Sequence, residues 1–384
     1  QWVPASGELF TWRELTVSLE LGPAQDGPGV GVRGSLHDLE ALSRLAENPE
    51  TGLDYPAPTG DRDEEPYLII APDALRGAFT RLLDHRAAHG LPGRIMTVEE
   101  IVAGYPGVDE PEMMREAIRE AYTERGTRFV LLAGDDVDDS GNRLVPYRGC
   151  LLDAGGYRYE DAPVDFYFGA LDGSWNADGD SVWCEPSEID YYSEVPIGRA
   201  TVDTVAEADR FIDKLLAYEG GLPEERRRDL VFMGESLDSS TWGGDSMDET
   251  LKLIPEDEYD VTKLYEREGT FSRSAVISNL NRGPHLTNHL GHANDGYVMG
   301  INRGDVDGLT NPTPFFSYSQ GCDSGAFDQK FSGNSEAISE HFLTAEHAGF
   351  GVVMNVRYGW YSAGSAWGPS QHIGHQFFDA LFTE

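Results

Sequence analysis

Between residues 67 and 133, three short apolar runs alternate with two amphipathic helical patterns. Tyr67-Leu68-Ile69-Ile70, Arg94-Ile95-Met96-Thr97-Val98 and Arg128-Phe129-Val130-Leu131-Leu132-Ala133 have the length and β-favouring side chains of buried strands. The span 72–89 places Leu75, Phe79, Leu82 and Leu83 on one helical face and ends at Gly90; the span 111–125 has Pro111 in its first turn and Gly126 at its stop. Strands that alternate with helices in this way form a parallel sheet with helices on both faces, joined by right-handed crossovers. The fold class is therefore α/β.

The pattern continues beyond the first unit. A strand is expected over 195–200, an amphipathic helix over 205–218, and an acidic-basic hinge over 220–228. After the hinge come a strand at 229–235, a helix near 247–253, strand-like runs at 274–280 and 313–320, a helix at 338–346, a strand at 350–356 and a final helix at 370–382. A chain of 384 residues suits two such units. We divide it into an accessory or propeptide-like segment, 1–64, with one helical patch at 36–45, a first α/β subdomain, 65–225, and a second, 226–384.

The formal net charge is -38 and the pI about 4.4, which makes nucleic acid and anionic membranes poor electrostatic partners and favours cationic ones. Lysine is scarce, occurring only at Lys214, Lys252, Lys263 and Lys330, and dense carboxylates with few lysines suit a salt-rich habitat. Calcium ligation and plain solubility explain the acidity as well. Three cysteines exclude a disulfide-dense scaffold, allow one bridge between Cys150 and Cys184, and leave Cys322 free. No run of about 20 apolar residues is present to span a bilayer. The start at Gln1, without a signal-like stretch, suits a mature or excised form.

Two segments carry chemistry. Thr313-Pro314-Phe315-Phe316-Ser317-Tyr318-Ser319-Gln320 runs straight into Gly321-Cys322-Asp323-Ser324-Gly325, which presents a thiol at a strand end. Asn288-His289-Leu290-Gly291-His292-Ala293 presents an imidazole in a glycine-rich turn. A thiol with a pKa of about 8.5 needs a base to become a nucleophile at neutral pH, and a histidine supplies one. Glycines beside both residues let backbone N–H groups approach a substrate carbonyl, with Gly291 and Cys322 as the oxyanion donors. The same cysteine also suits an inert, buried role.

Asp172, Asn176, Asp178 and Asp180 offer oxygens in a tightly turning loop, as calcium requires, although their spacing is not that of an EF-hand. His285, His289 and His292 stand at i, i+4 and i+7, and on a continuous helix they would make a zinc hydrolase site. Gly283, Pro284, Gly291 and Gly296 oppose that helix. A non-catalytic acidic binding module is the third alternative.

Five blocks occur in order from about residue 65 to the end: Tyr67-Leu68-Ile69-Ile70, Asp190-Tyr191-Tyr192-Ser193-Glu194-Val195-Pro196-Ile197-Gly198-Arg199, the Gly291-His292 turn, the Cys322 loop and Arg357-Tyr358-Gly359-Trp360. Together they resemble the gingipain family of cysteine peptidases. The resemblance implies a caspase-like fold of two side-by-side subdomains, each a largely parallel sheet flanked by helices. It also implies hydrolysis of a polypeptide substrate through a thioester acyl-enzyme, and a secreted or cell-surface location. Cys322 becomes the nucleophile, His292 the base and leaving-group acid, and Asp165 a third member that orients the imidazole. Asp190 and Trp360 become a pocket for a basic side chain, provided that Arg357 neither fills the pocket nor pairs with Asp190. Structural calcium is implied at the loop 172–180, with a second candidate at Asp245, Asp248 and Glu249.

Overall fold

The computed structural model describes residues 65–138, 140–331 and 336–383, together with Leu39 and a short antiparallel ladder of Trp2–Val3 with Glu8–Leu9. Leu39 apart, the expected helix at 36–45 lies outside the described residues, as does most of the accessory segment. In chain order the first half contains β1 (Tyr67–Ala71), α1 (Asp73–Ala88), β2 (Gly93–Thr97), α2 (Glu110–Arg125), β3 (Phe129–Ala133), a hairpin of β4 (Gly149–Ala154) and β5 (Tyr157–Pro163), β6 (Ile197–Ala200) and α3 (Val205–Glu219). Its sheet has the order β2-β1-β3-β6, with every pair parallel.

The apolar runs are continuous because both faces of this sheet are buried. Leu68 and Ile70 of β1 pack with Ile118 of α2, Tyr167 and Trp175 on one face. Ile69 and Ala71 pack with Leu75 and Phe79 of α1 and Phe211 of α3 on the other. Local chemistry fixes the helix ends. Asp109 caps α2 by accepting the Glu112 N–H, Gly126 ends it at φ 68°, and Thr204 forms a capping box with Glu207 ahead of α3.

The second half contains β7 (Asp229–Gly234), α4 (Gly243–Leu251), β8 (Asp260–Tyr265), α5 (Arg273–Leu280), β9 (Leu286–Leu290), β10 (Phe315–Ser319), α6 (Ile338–Thr344), β11 (Gly349–Val353) and α7 (Pro369–Phe382). Its sheet has the order β8-β7-β9-β10-β11 and is likewise parallel throughout. One expectation is corrected here. The run at 274–280 forms the helix α5, because Ser272 accepts the Ala275 N–H as an N-cap and Val276 and Leu280 bury one face at i, i+4. The strand that leads to the histidine is β9.

The halves meet along α3 and α6. Lys214 of α3 is buried and donates to the Phe342, Ala345 and His347 carbonyls at 2.8, 2.9 and 2.9 Å, so one ammonium closes the carboxyl end of α6 from the other half of the molecule. At the opposite end of α6, the buried carboxyls of Asp135 and Glu340 interact. The Asp135 oxygens have no well-aligned hydrogen-bond donor among the described residues. Burial drives both pKa values well up; Asp203 and Glu336 add repulsion, and Arg199 opposes it.

The native state therefore keeps protons here that the unfolded chain releases near the ordinary values of 3.8 and 4.5. Stability from this pair is complete below that range and is lost as the pH rises through the folded pKa values. Glu340→Gln, which keeps an acceptor for the Ala337 N–H, is expected to flatten this decline. Denaturant midpoints measured from pH 4 to pH 9 check it, and parallel curves for variant and wild type would refute it.

Candidate active site

Parallel strands bring their carboxyl ends to one edge, and that edge carries the chemistry. β9 and β10 pair with His289 opposite Ser319, an offset of 30 residues. Carried three residues beyond the strands, the same offset aligns His292 with Cys322. Both residues line a cavity of about 50 Å³, together with Gly291, Gly359, Trp360 and Tyr361. His292 is exposed and Cys322 half-buried.

The thiol loop is tightly anchored. Asn355 donates from Nδ2 to the Gln320 and Gly321 carbonyls at 3.0 and 3.2 Å, and the Asp323 N–H donates to the Arg357 carbonyl at 3.0 Å. Asp323 sits in the left-handed region at φ 54°, which turns the chain sharply after Cys322. The Gly359 N–H donates to Sγ at 3.3 Å, and a side chain at Gly359 would collide with the Gln320 carbonyl. Burial pushes the Cys322 thiol up and nearby Asp323 adds to this, while the Gly359 N–H pulls it down. Burial also raises Asp323 to about 6.

The resting thiol is therefore protonated at neutral pH. Alkylation of Cys322 by iodoacetamide is expected to accelerate with pH and to reach its midpoint above 9.0. A midpoint near or below 7, read from peptide mass spectrometry of timed reactions, would contradict a neutral resting thiol.

The remaining expected site residues are dispersed. Asp165 does not line the cavity. Both its oxygens are taken by Arg199, from Nε at 2.7 Å and Nη2 at 2.8 Å, and the same guanidinium donates to the Gly134, Val145 and Pro146 carbonyls. Arg357 is fully buried and forms a bidentate pair with Asp328 at 3.1 and 2.6 Å, so it pairs with Asp328 and not with Asp190. Trp360 does line the cavity, and Gly155 at the tip of the β4–β5 hairpin lies against its indole. Asp190 accepts the Tyr192 N–H at 3.0 Å and belongs to a carboxylate group with Asp172 and Glu194.

The acidic loop divides between two groups. Asp172 joins Asp190 and Glu194, whereas Asp178 and Asp180 join Glu185; within each group the oxygens lie within 4.8 Å of one another. Buried oxygens of Asn176 and Glu188 lack a partner among the described residues, and Glu188 is bonded to this loop through the Ala177 and Asp178 N–H groups. An all-oxygen donor set with orphaned oxygens beside it fits a hard cation. The second expected calcium group is corrected. Asp245 and Asp248 are bound by Arg267, Asp248 also by Lys263, and Glu249 by Lys252 at 2.5 Å, so basic side chains already neutralise those carboxylates.

The three-histidine zinc face is also corrected. His289 lies in strand β9 and is fully buried, His285 bonds to Tyr218 and the Arg227 carbonyl, and His292 lies in the turn beyond the strand. No histidine-containing metal group occurs among the described residues. The bridge between Cys150 and Cys184 that the cysteine count allows is formed, with Cys322 free. Residues that local sequence patterns passed over are Glu235 and Ser319 beneath the site, where His289 joins them in place of the zinc role expected of it, Asp328 behind the loop, and Glu185 and Glu194 in the acidic groups. Their only sequence signal is polarity within otherwise apolar or turning segments.

The model of Peptidase family C25 matches residues 61–384. Gingipain R1 of Porphyromonas gingivalis is 21% identical over 308 residues, covering 77% of this chain and 27% of that protein; a second Gingipain R1 from the same organism matches equally, over 16% of its length. The chain thus spans about a quarter or less of the curated relatives it matches. A crystal structure of the Arg-specific cysteine proteinase gingipain R superposes with a TM-score of 0.63 at 18% identity, covering 85% of this chain and 69% of that one. A complex of Porphyromonas gingivalis pro- and mature domains superposes with a TM-score of 0.63 at 17% identity, covering 83% and 69%. These superpositions establish a caspase-like α/β fold of parallel sheets flanked by helices. The family match extends over both sheets and the paired His292 and Cys322 turns, and the chain belongs to Peptidase family C25.

Proposed function

We propose that this chain is a cysteine endopeptidase acting through a thioester acyl-enzyme, with a preference for Arg or Lys on the acyl side of the cleaved bond. The observation that carries the reading is the β9–β10 register, which delivers His292 and Cys322 to one cavity at the carboxyl edge of a parallel sheet.

In this mechanism the Cys322 Sγ attacks the peptide carbonyl as His292 takes the thiol proton. The Gly291 and Cys322 N–H groups hold the developing oxyanion. His292 then protonates the leaving amine, and a water activated by the same imidazole hydrolyses the thioester. The raised resting pKa of Cys322 makes His292 necessary, because little thiolate exists without it.

The basic preference is supported by the Trp360 indole on the cavity wall, which offers a cation–π face. Asp190 is not among the residues lining the cavity and stands with Asp172 and Glu194, so the preference rests on Trp360, with Arg357 kept out of the pocket by its pairing with Asp328. A secreted or cell-surface location is supported by the disulfide between Cys150 and Cys184.

Calcium is proposed as a structural ion held by Asp178, Asp180 and Glu185, and by Asp172, Asp190 and Glu194, stiffening the segment between the β4–β5 hairpin and β6. Chelation is expected to lower the melting temperature by several degrees, and calcium alone to restore it, because a ligand bound only to the native state stabilises by mass action. Unchanged melting of a metal-free preparation on adding calcium would refute the proposal.

The deciding experiment is mass spectrometry of the chain after incubation with acyloxymethyl ketones bearing Arg, Lys or Asp, beside iodoacetamide. Labelling of Cys322 by the Arg and Lys reagents, lost in His292→Ala, supports nucleophile, base and preference together. Equal labelling by the Asp reagent removes the preference. Labelling by iodoacetamide alone favours a binding module that has kept the fold.

A further inference from the structure

Directly beneath the cavity lies a buried polar chain that the proposed mechanism does not use. Glu235, just beyond β7, places Oε1 2.8 Å from His289 Nε2, and His289 Nδ1 lies 2.8 Å from Ser319 Oγ. Ser319 Oγ in turn accepts the Gly321 N–H at 3.1 Å. His289 is fully buried, and Glu235 and Ser319 nearly so.

The hydrogen bonds have one self-consistent assignment. Ser319 Oγ accepts the amide hydrogen of Gly321, which leaves its own hydrogen to donate to His289 Nδ1. Nδ1 must then be bare and Nε2 protonated, and Nε2–H donates to the Glu235 carboxylate. A protonated imidazole would instead force Ser319 Oγ to accept twice and leave its hydroxyl hydrogen without a partner among the described bonds. The carboxylate thus selects one neutral tautomer, and that tautomer orients the hydroxyl toward the imidazole with its lone pair toward Gly321.

Both ends of this chain reach the proposed catalytic pair. Gly321 immediately precedes Cys322. On the other strand, Gly291 immediately precedes His292, and a side chain at Gly291 would collide with Glu235 Oε1 and His289 Nε2. The Glu235 N–H also donates to the Leu290 carbonyl at 3.0 Å, which ties the carboxylate's own backbone to the histidine turn.

We propose that Glu235, His289 and Ser319 are positioning residues that set the spacing of Cys322 and His292 through the backbones of Gly321 and Gly291. This rests on the peptidase reading for its kinetic consequence, but its structural consequence is independent of that reading. An error of about 1 Å in such a pair is enough to cost on the order of 100-fold in rate.

The test uses Ser319→Ala, Ser319→Thr and the isosteric Glu235→Gln in the full chain, with turnover of Arg and Lys peptides and hydrogen exchange of the 319–327 segment. Ser319→Ala is expected to lower kcat about 10- to 100-fold with KM within about twofold. It should also speed exchange at Gly321, and Ser319→Thr should restore both. Glu235→Gln, whose amide no longer enforces the tautomer, should lower kcat without a comparable fall in melting temperature. Unchanged exchange at Gly321 in Ser319→Ala would overturn the proposal, as would a fall in kcat that Ser319→Thr does not rescue. A wild-type chain that cleaves no peptide would end the peptidase reading, and exchange at Gly321 would still decide the network.

Discussion

Cys322→Ala is expected to abolish peptide hydrolysis, and His292→Ala to lower kcat/KM by on the order of 10⁴-fold, with both proteins melting close to the wild type. The size follows from the state of the thiol. Burial holds Cys322 protonated, opposed only by the backbone N–H groups of Gly359 and of Cys322 itself, so the attacking thiolate has to be generated by proton transfer. Without the imidazole, neither that transfer nor protonation of the leaving amine has an agent.

The stability side of the prediction follows from exposure. His292 projects from a turn beyond β9, and its removal opens no core cavity. Progress curves on a fluorogenic Arg peptide, run beside thermal melts of the same preparations, check both halves. Full activity in Cys322→Ala would end the thiol mechanism. A large fall in melting temperature for His292→Ala would instead mean that the turn depends on that side chain.

What the sequence disclosed follows the range of the interactions. Apolar runs such as Leu68 to Ile70 were legible because both faces of the strand are buried, so each residue individually reports its environment. The thiol and imidazole turns were legible because glycines stand directly before Cys322 and His292, although the atoms that exclude a side chain at Gly291 and Gly321 include distant ones, from Glu235 and Ala293. Residues 274–280 were misread because a run of seven suits either a strand or a helix, and the Ser272 cap, one hydrogen bond, decides it. Glu235 was invisible for a different reason. Its partner His289 is 54 residues away, and only the pairing of β7 with β9 brings them together. The spacing of His285, His289 and His292 suggested a helical face, yet along a strand and turn the three imidazoles go to unrelated partners. Asp328 and Arg357, 29 residues apart, were likewise hidden, and their pairing answers from the structure whether Arg357 neutralises Asp190.

Asp165→Ala is expected to destabilise the chain by about 3 kcal/mol, the low end of what breaking a buried ion pair costs, because the carboxylate itself is one-fifth exposed. The burden falls on Arg199, whose side chain is 5% exposed and whose remaining donors go to the Gly134, Val145 and Pro146 carbonyls. Removing Asp165 leaves the charge in place with only neutral carbonyl oxygens directly bonded to it. The double variant Asp165→Ala with Arg199→Met should recover part of the loss, since it removes the stranded charge as well. These outcomes separate two roles for the carboxylate. As the partner of Arg199, its loss lowers the denaturation midpoint, while the protein that remains folded keeps its kcat within about tenfold. As an orienting acid for His292, its loss would lower kcat by on the order of 10⁴-fold with stability little changed, as when the triad aspartate of a serine protease is replaced. Urea unfolding and kcat measured on the same samples at a temperature below the transition distinguish the two. Because Arg199 occupies both oxygens of Asp165, the first outcome is the expected one.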